Sequence, residues 1–175
     1  ALNAAVQRLL EQHDAQYGGW GAGPKFPQPM ALAFLLRTHH ATGDDQLLAV
    51  VNKTLDAMAR GGIYDQIGGG FHRYTVDGRW LVPHFEKMLY DNAQLARVYL
   101  HAWQVTGRPL YRAVVEETLD YLLREMRVGG AAYASAQDAD TAGHEGATYL
   151  WTPAELRAVL GEDYARFAAV YPVTE

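Results

Sequence analysis

Apolar residues recur every three to four positions through most of the chain, which is the spacing of one face of an α-helix. The longest such stretch runs from Pro83 to Thr106. Pro29 suits a first helical turn, and Thr152 with Glu155 forms a helix-start signal. The pattern predicts helices over 1–16, 29–42, 44–60, 83–106, 109–127, 152–160 and 163–170.

Three glycine-rich segments, 18–28, 61–82 and 129–151, separate these helices. In the middle segment, Gly68-Gly69-Gly70 stands between two short runs of β-forming residues, 63–64 and 71–74. This arrangement predicts a short β-hairpin inside the 61–82 loop.

The chain also contains an internal repeat. Thr42-Gly43 recurs 64 positions later as Thr106-Gly107, and the strings 49–51 and 54–56 recur at the same offset as 113–115 and 118–120. Successive helices joined by short turns run antiparallel, so we expect the Thr-Gly turns on one side and the long loops on the other. Chance similarity between two amphipathic helices is the alternative explanation.

Composition narrows the classes of partner. The chain has 15 Lys and Arg against 20 Asp and Glu, a net charge of −5, and no run of basic residues. We therefore expect neither nucleic acid nor an anionic membrane surface as a partner. An apolar content of 49% argues against disorder, and the absence of cysteine excludes disulfides and thiolate chemistry within these residues. No apolar run reaches transmembrane length and no signal peptide is recognisable.

The segment 79–92 offers the strongest candidate chemistry. If it begins a helix, His84, Lys87 and Asp91 share one face, and Glu86 points to another side of the first turn. We predict catalytic roles for His84, Glu86 and Asp91, with Lys87 binding ligand. The alternative is a cluster that caps the helix and forms surface ion pairs.

A second constellation is acidic. Asp138, Asp140 and Glu145 stand in a glycine-containing loop, but the twelfth position of an EF-hand loop would be Tyr149, which excludes that motif. We predict Asp138 and Asp140 as acid–base carboxylates and Glu145 as a ligand contact, without a metal ion or other cofactor. An acidic turn with glycine hinges and a looser cation site are the alternatives.

Aromatic and charged residues in the first two loops complete the candidate site. Trp20, Lys25 and Phe26 form a potential stacking surface for a ring-shaped polar ligand, or else plug the loop onto the helices. The middle loop adds further predicted ligand contacts, of which Arg73 and Asp65 could instead form an ion pair. These contacts are Tyr64, Asp65, His72, Arg73 and Trp80.

Four strings resemble one family: 23–27, 61–71, Arg79–Asn92 (RWLVPHFEKMLYDN) and 135–140 followed by Glu145-Gly146. They are similar to the YyaL-like, thioredoxin-domain-containing proteins related to spermatogenesis-associated protein 20. The resemblance implies an all-α fold, the (α/α)6 toroid of the six-hairpin glycosidase type. It implies that residues 1–175 form about half of that toroid, with hairpins over 1–60, 83–127 and 152–170, while a thioredoxin-like domain and the other half are absent.

For function, the resemblance implies a toroid that processes a sugar or polyol, as an epimerase, isomerase or hydrolase. The alternatives are a non-catalytic module that binds a ligand or a client for the attached thioredoxin-like domain, and a purely structural helical array. We expect a cytoplasmic protein. Since half a toroid would leave inner helices uncovered, we also expect this chain to self-associate.

Overall fold

The computed structural model describes residues 2–171 and 173, and the chain divides into two compact units, 1–139 and 140–175. The first unit is built from helices that lie close to the predicted ranges. They are α1 (Leu2–Gln12), α2 (Pro29–Thr42), α3 (Asp45–Arg60), α4 (Leu89–Thr106), α5 (Pro109–Tyr121) and a π-helical turn (Leu122–Met126).

Short antiparallel ladders connect the loops of this unit. Its strands are β1 (Tyr74–Thr75), β2 (Pro83–His84), β3 (Lys87–Met88), β4 (Arg127–Val128), β5 (Ala132–Tyr133) and β6 (Ala136–Gln137). The ladders pair β1 with β2, β3 with β6 and β4 with β5.

The second unit contains the hairpin β7 (Asp140–Thr141) and β8 (His144–Glu145), then α6 (Pro153–Leu160), a 3-10 turn (Gly161–Asp163) and α7 (Tyr164–Val170). The predicted start of α6 is confirmed, because Thr152 and Glu155 form a reciprocal capping box. None of the described helices is long and apolar enough to cross a membrane.

The sequence repeat reappears as two matching helix–helix turns. Gly43 and Gly107 both have left-handed backbone, and each N–H donates 2.7 Å to the carbonyl four residues earlier. Thr42 and Thr106 each donate to the carbonyl of the residue four positions before. The two turns join α2 to α3 and α4 to α5, and glycine is favoured at both because other residues are strained at positive φ.

The core lies between α2, α3, α4 and α5 and contains equivalent positions of the repeat. Val51 and Val115 are both buried there. Tyr99 of α4 stacks on Phe71 and donates its hydroxyl 2.8 Å to the carbonyl of Leu55 on α3. This contact ties the middle loop to the helices beneath it.

Two predicted helices are shorter than expected, because α1 ends at Gln12 instead of residue 16 and α4 begins late. The stretch 83–106 becomes helical only at Leu89, because residues 83–84 and 87–88 pair as strands with residues distant in sequence. The prediction that His84, Glu86 and Lys87 lie on a helix is therefore wrong. Strand pairing across the loops outweighs the local helical periodicity there.

The 61–82 loop contains the predicted hairpin only as a single bridge, between Tyr64 and Phe71. The two-residue ladder forms instead between β1 and β2, with Tyr74 opposite His84. A further bridge joins Lys25, which precedes α2, to Thr75, which precedes α4. The loops that precede α2 and α4 thus meet, and we call this region of the first unit the loop end.

Candidate ligand-binding site at the loop end

A buried lysine holds the first loop together. The Nζ atom of Lys25 donates to Asp14 Oδ2 at 2.6 Å, to the Gly18 carbonyl at 2.8 Å and to the Gly78 carbonyl at 2.9 Å. It also lies 5.3 Å from the centroid of the Trp80 ring. All three Nζ donors of Lys25 are used inside the protein, and the residue is 0% exposed.

A second buried lysine repeats this arrangement in the middle loop. Lys87, 1% exposed, donates from Nζ to Asp65 Oδ2 at 2.7 Å and to the Gly69 carbonyl at 2.9 Å. Its Nζ atom lies 4.4 Å from the centroid of the Tyr121 ring. Burial opposes ionisation of Asp65, but the hydrogen bond and charge of Lys87 together with the N–H groups of Gly68 and Ile67 outweigh it and lower the pKa of this carboxyl.

The loops around these lysines share one backbone design. Asp14 and Asp65 each accept the N–H groups two and three residues ahead, and each pairs its own backbone with two following glycines. The sequence signal is Asp-x-x-x-Gly-Gly, at 14–19 and 65–70. Its offset of 51 residues differs from the helical repeat, so the sequence analysis missed it. We call each lysine with its Asp-Gly-Gly loop a lysine staple.

The staples give several predicted ligand contacts a structural role instead. Lys25, Asp65 and Lys87 belong to them. Trp80 is buried and donates its indole N–H 3.0 Å to the Tyr17 carbonyl, while the hydroxyl of buried Tyr64 donates to Glu117. These side chains build the loops rather than offering polar atoms to a ligand.

Two further predicted contacts also lie against the protein. Trp20 is half-buried and donates its indole N–H 2.9 Å to the Leu9 carbonyl of α1, as expected if it plugs the loop. His72 is buried with its ring edge against Phe85, at 5.3 Å between centroids. Burial, assisted by the charge of Lys87, lowers the pKa of His72 to about 4, so its imidazole is neutral at pH 7.

A different group of side chains remains open to solvent at the loop end. The β1–β2 ladder sets Tyr74 opposite His84, and their rings stack with centroids 4.9 Å apart. Phe26 stacks on Tyr74 at 4.8 Å and is 41% exposed. Three rings from two loops therefore form one continuous stack, which we call the aromatic stack.

Charged side chains lie beside this stack. Arg73 donates from Nη1 to Glu86 Oε2 at 2.9 Å, and its backbone N–H donates 2.8 Å to the Glu86 carbonyl. The His84 Nε2 atom is 3.7 Å from the same Oε2. The hydrogen bond that Arg73 donates to Glu86 raises the pKa of Arg73 above its ordinary value, which keeps the guanidinium charged.

Asp91 completes the group from the first turn of α4. It is 8% exposed, and its carboxyl group forms no hydrogen bond or ion pair with a described residue. Burial raises the pKa of Asp91 to about 6, with Arg73 opposing the shift and Glu86 adding to it. A carboxyl group with a strongly raised pKa and no internal partner is a recognised candidate for a functional site.

The structure thus brings together Phe26, Arg73, His84, Glu86 and Asp91 from the predicted set, with Tyr74 as an addition. We call this the open cluster. Sequence reasoning missed the Tyr74–His84 stack because it placed His84 on a helix.

The acidic residues of the third loop are divided between the two units. Asp138 is exposed and follows β6 in the first unit. Asp140 and Glu145 are exposed in the second unit, where they face each other across the β7–β8 ladder. Their functional roles stay predictions. Within residues 2–171 and 173, no three His, Asp or Glu side chains converge as a potential metal site.

Comparison with known proteins identifies relatives of the sequence. No protein-family model matches the chain. It is 42% identical to spermatogenesis-associated protein 20 of Homo sapiens over 170 residues, which are 91% of this chain and 22% of that protein. An uncharacterized protein of Caenorhabditis elegans is 35% identical over 173 residues, covering 91% of this chain and 24% of that protein. The chain thus spans about a fifth to a quarter of the length of these relatives.

Comparison with solved structures identifies the fold. A sugar epimerase from a ruminal bacterium matches with a TM-score of 0.68 and 14% identity, over 95% of this chain and 50% of that one. Cellobiose 2-epimerase from Bacillus thermoamylovorans matches with a TM-score of 0.68 and 12% identity, over 97% and 50%. Identities this low show fold alone. The predicted (α/α)6 toroid fold, with about half of the toroid represented, is confirmed.

Proposed function

We propose that the loop end of this chain, which aligns with about 22% of spermatogenesis-associated protein 20, binds and processes a sugar or polyol. The fold is that of sugar-epimerase toroids, but a shared fold does not by itself imply a shared reaction. The proposal therefore depends on the open cluster.

The observation that carries the proposal is the largely buried Asp91 carboxyl group, which interacts electrostatically with Arg73 and Glu86, the charged pair beside the aromatic stack. The flat, apolar face of a sugar ring can pack on exposed aromatic rings such as Phe26, and its hydroxyls need polar partners at the edge. Arg73, His84, Glu86 and Asp91 supply such partners. An apolar surface with a few convergent polar groups is the usual composition of a small-molecule site.

The chemistry we assign to this site is proton transfer. A carboxyl group with a pKa of about 6 is present in both protonation states near neutral pH, so Asp91 can act as an acid or as a base. His84 can exchange a proton with a ligand seated on the stack. Epimerisation next to a carbonyl and glycoside hydrolysis both need such groups, and either is compatible with the cluster.

Binding and turnover can be tested separately. Ligand-observed NMR with cellobiose and mannose should detect binding, and Phe26→Ala should abolish it because the outer ring of the stack is lost. Tyr133→Ala is a matched control, since Tyr133 is 42% exposed against 41% for Phe26 and lies on β5 outside the cluster. Equal loss in both variants, or no binding by the unmodified chain, would contradict the proposal.

Turnover would be followed in deuterated water. Deuterium that appears at the carbon next to the sugar carbonyl would identify epimerase or isomerase chemistry, and release of a monosaccharide would identify hydrolysis. Asp91→Asn should abolish either reaction while Phe26 stacking persists. Asp138→Ala tests whether the acidic loop contributes.

A second candidate function is a binding module for a polypeptide client, and one observation favours it. The tip of the β1–β2 hairpin exposes three aliphatic side chains, Val76, Leu81 and Val82. Asp77 holds this tip by accepting three backbone N–H groups, at 2.6, 3.2 and 2.6 Å. A rigid, exposed apolar tip suits protein contact. Leu81→Ser would weaken client binding and leave sugar binding unchanged.

A further inference from the structure

Arg73 is the positive charge of the open cluster, and Glu86 engages it through both backbone and side chain. The side-chain contact is 2.9 Å and the backbone hydrogen bond is 2.8 Å. The Nε atom of Arg73 is buried without a hydrogen-bond partner among the described residues, but the side chain as a whole is 40% exposed, so the guanidinium can still donate to a ligand. Glu86 thus compensates the charge of Arg73 without exhausting its hydrogen bonds.

Two other cations of the loop end are committed elsewhere. Lys25 and Lys87 are buried, and each is paired with an aspartate of its own loop, Asp14 or Asp65. Asp91 adds a second carboxyl group next to Arg73 and Glu86. An anionic ligand on the aromatic stack would meet one compensated guanidinium and two carboxyl groups.

On the basis of the proposed function, we propose that the open cluster selects uncharged sugars and that Glu86 is the residue that determines this selectivity. A phosphate or carboxylate could pair with Arg73 only by displacing Glu86 or by lying beside it, and both arrangements are opposed by like charge. A hydroxyl or carbonyl oxygen of an uncharged sugar can accept from the remaining donors of Arg73 and leave the ion pair in place.

The test uses two pairs of probes that differ in charge: glucose with glucuronate, and mannose with mannose 6-phosphate. Dissociation constants are measured by NMR titration for the unmodified chain, for Glu86→Gln and for Glu116→Gln. Glu116 is a matched control because it pairs with Arg112 at 2.7 Å on α5, outside the cluster.

We expect the unmodified chain to bind each uncharged sugar at least about tenfold more tightly than its charged partner. Glu86→Gln keeps the backbone hydrogen bond to Arg73 but frees the guanidinium, so affinity for glucuronate and mannose 6-phosphate should rise about tenfold. Affinity for the uncharged sugars should not rise, because a neutral ligand gains nothing from the freed charge of Arg73, and Glu116→Gln should reproduce the unmodified chain.

A double variant keeps the test decisive if Glu86→Gln gains affinity for an unrelated reason. Arg73→Gln combined with Glu86→Gln should lose the gain, because the freed guanidinium is its cause. A gain that survives in the double variant would overturn the assignment of Glu86, as would tight glucuronate binding by the unmodified chain. Failure of all four sugars to bind would instead overturn the proposed function itself.

Discussion

The lysine staples and the open cluster both lie at the loop end and treat charge in opposite ways. Lys25 and Lys87 are fully buried, and their ammonium groups are satisfied by a carboxylate and by backbone carbonyls. Asp91 is also mostly buried, yet no described residue bonds to it. Saturated buried charges hold loops in place, whereas an unsaturated one costs stability and is available to a ligand.

Residues of the lysine staples and of the open cluster are also neighbours along the chain. Phe26 directly follows Lys25 in the chain, and Tyr74 precedes Thr75, which pairs with Lys25. The first staple therefore sets the position of the aromatic stack. Glu86 and His84 precede Lys87 in the same way, so the second staple fixes the charged side of the cluster. The geometry of the open cluster therefore depends on the two lysine staples.

The largest effect is expected from removing the lysine of the second staple. Lys87→Met leaves Asp65 buried without its cation, which should lower the free energy of unfolding by about 3–5 kcal/mol. Urea denaturation measures this, with Lys53→Met as the control because Lys53 is exposed on α3. A loss no larger than that of the control would show that the staple does not stabilise the fold.

Removing the lysine of the first staple should lower the free energy of unfolding by a smaller amount. The side chain of Asp14 is 23% exposed against 13% for Asp65, so water can partly replace the missing cation in Lys25→Met. We expect a loss of about 2–3 kcal/mol in the same denaturation experiment. A loss larger than that of Lys87→Met would contradict the ranking by exposure.

Asp91→Asn should raise the free energy of unfolding, and it should do so only near neutral pH. Because the pKa of Asp91 in the folded protein is about 6, the folded state binds more protons than the unfolded state between about pH 4 and 6. Its contribution to stability is therefore present below about pH 4 and is lost as the pH rises through 6. At pH 7.5 the variant should be more stable than the unmodified chain by about 1–2 kcal/mol, and at pH 4 the difference should vanish. A variant less stable at pH 7.5 would mean that Asp91 is internally paired.

The smallest effect should come from the turns, where no charge is involved. Alanine at Gly43 or at Gly107 meets no neighbouring atom within 4 Å, so the cost arises from the positive φ alone. Each substitution should destabilise by about 1 kcal/mol, and the two values should agree because the turns share one geometry. Values that differ severalfold would show that the two turns are not equivalent.

Local sequence signals predicted the helices and turns well. The bounds of α2 match the prediction at both ends, since Pro29 starts it and Gly43 caps it. Asp44 caps α3 by accepting the Gln46 N–H. These signals act within one helical turn, which is why they can be interpreted without knowing the fold.

The segment 83–88 shows the limit of that approach. Its spacing of apolar residues fits a helix, but its backbone bonds to partners at 74–75 and 136–137. Nothing within the segment encodes these partners, because a ladder of two residues is stabilised by the loops that it joins. The residue types predicted a candidate site in this segment, but they did not predict which side chains belong to it. Lys87 and His84 are three residues apart, and only His84 belongs to the open cluster.

The sequence by itself determined the helices, their caps, the 64-residue repeat and the candidate residues that the long loops carry. Tertiary structure decided which charged groups are paired inside the protein and which remain available to a ligand. The sequence alone does not show whether a lysine, aspartate or histidine is structural or available to a ligand, because this depends on burial and on partners distant in sequence. Lys25 and Lys87 find carboxylates and carbonyls within reach and become structural, while Asp91 finds none and remains the group on which chemistry can depend.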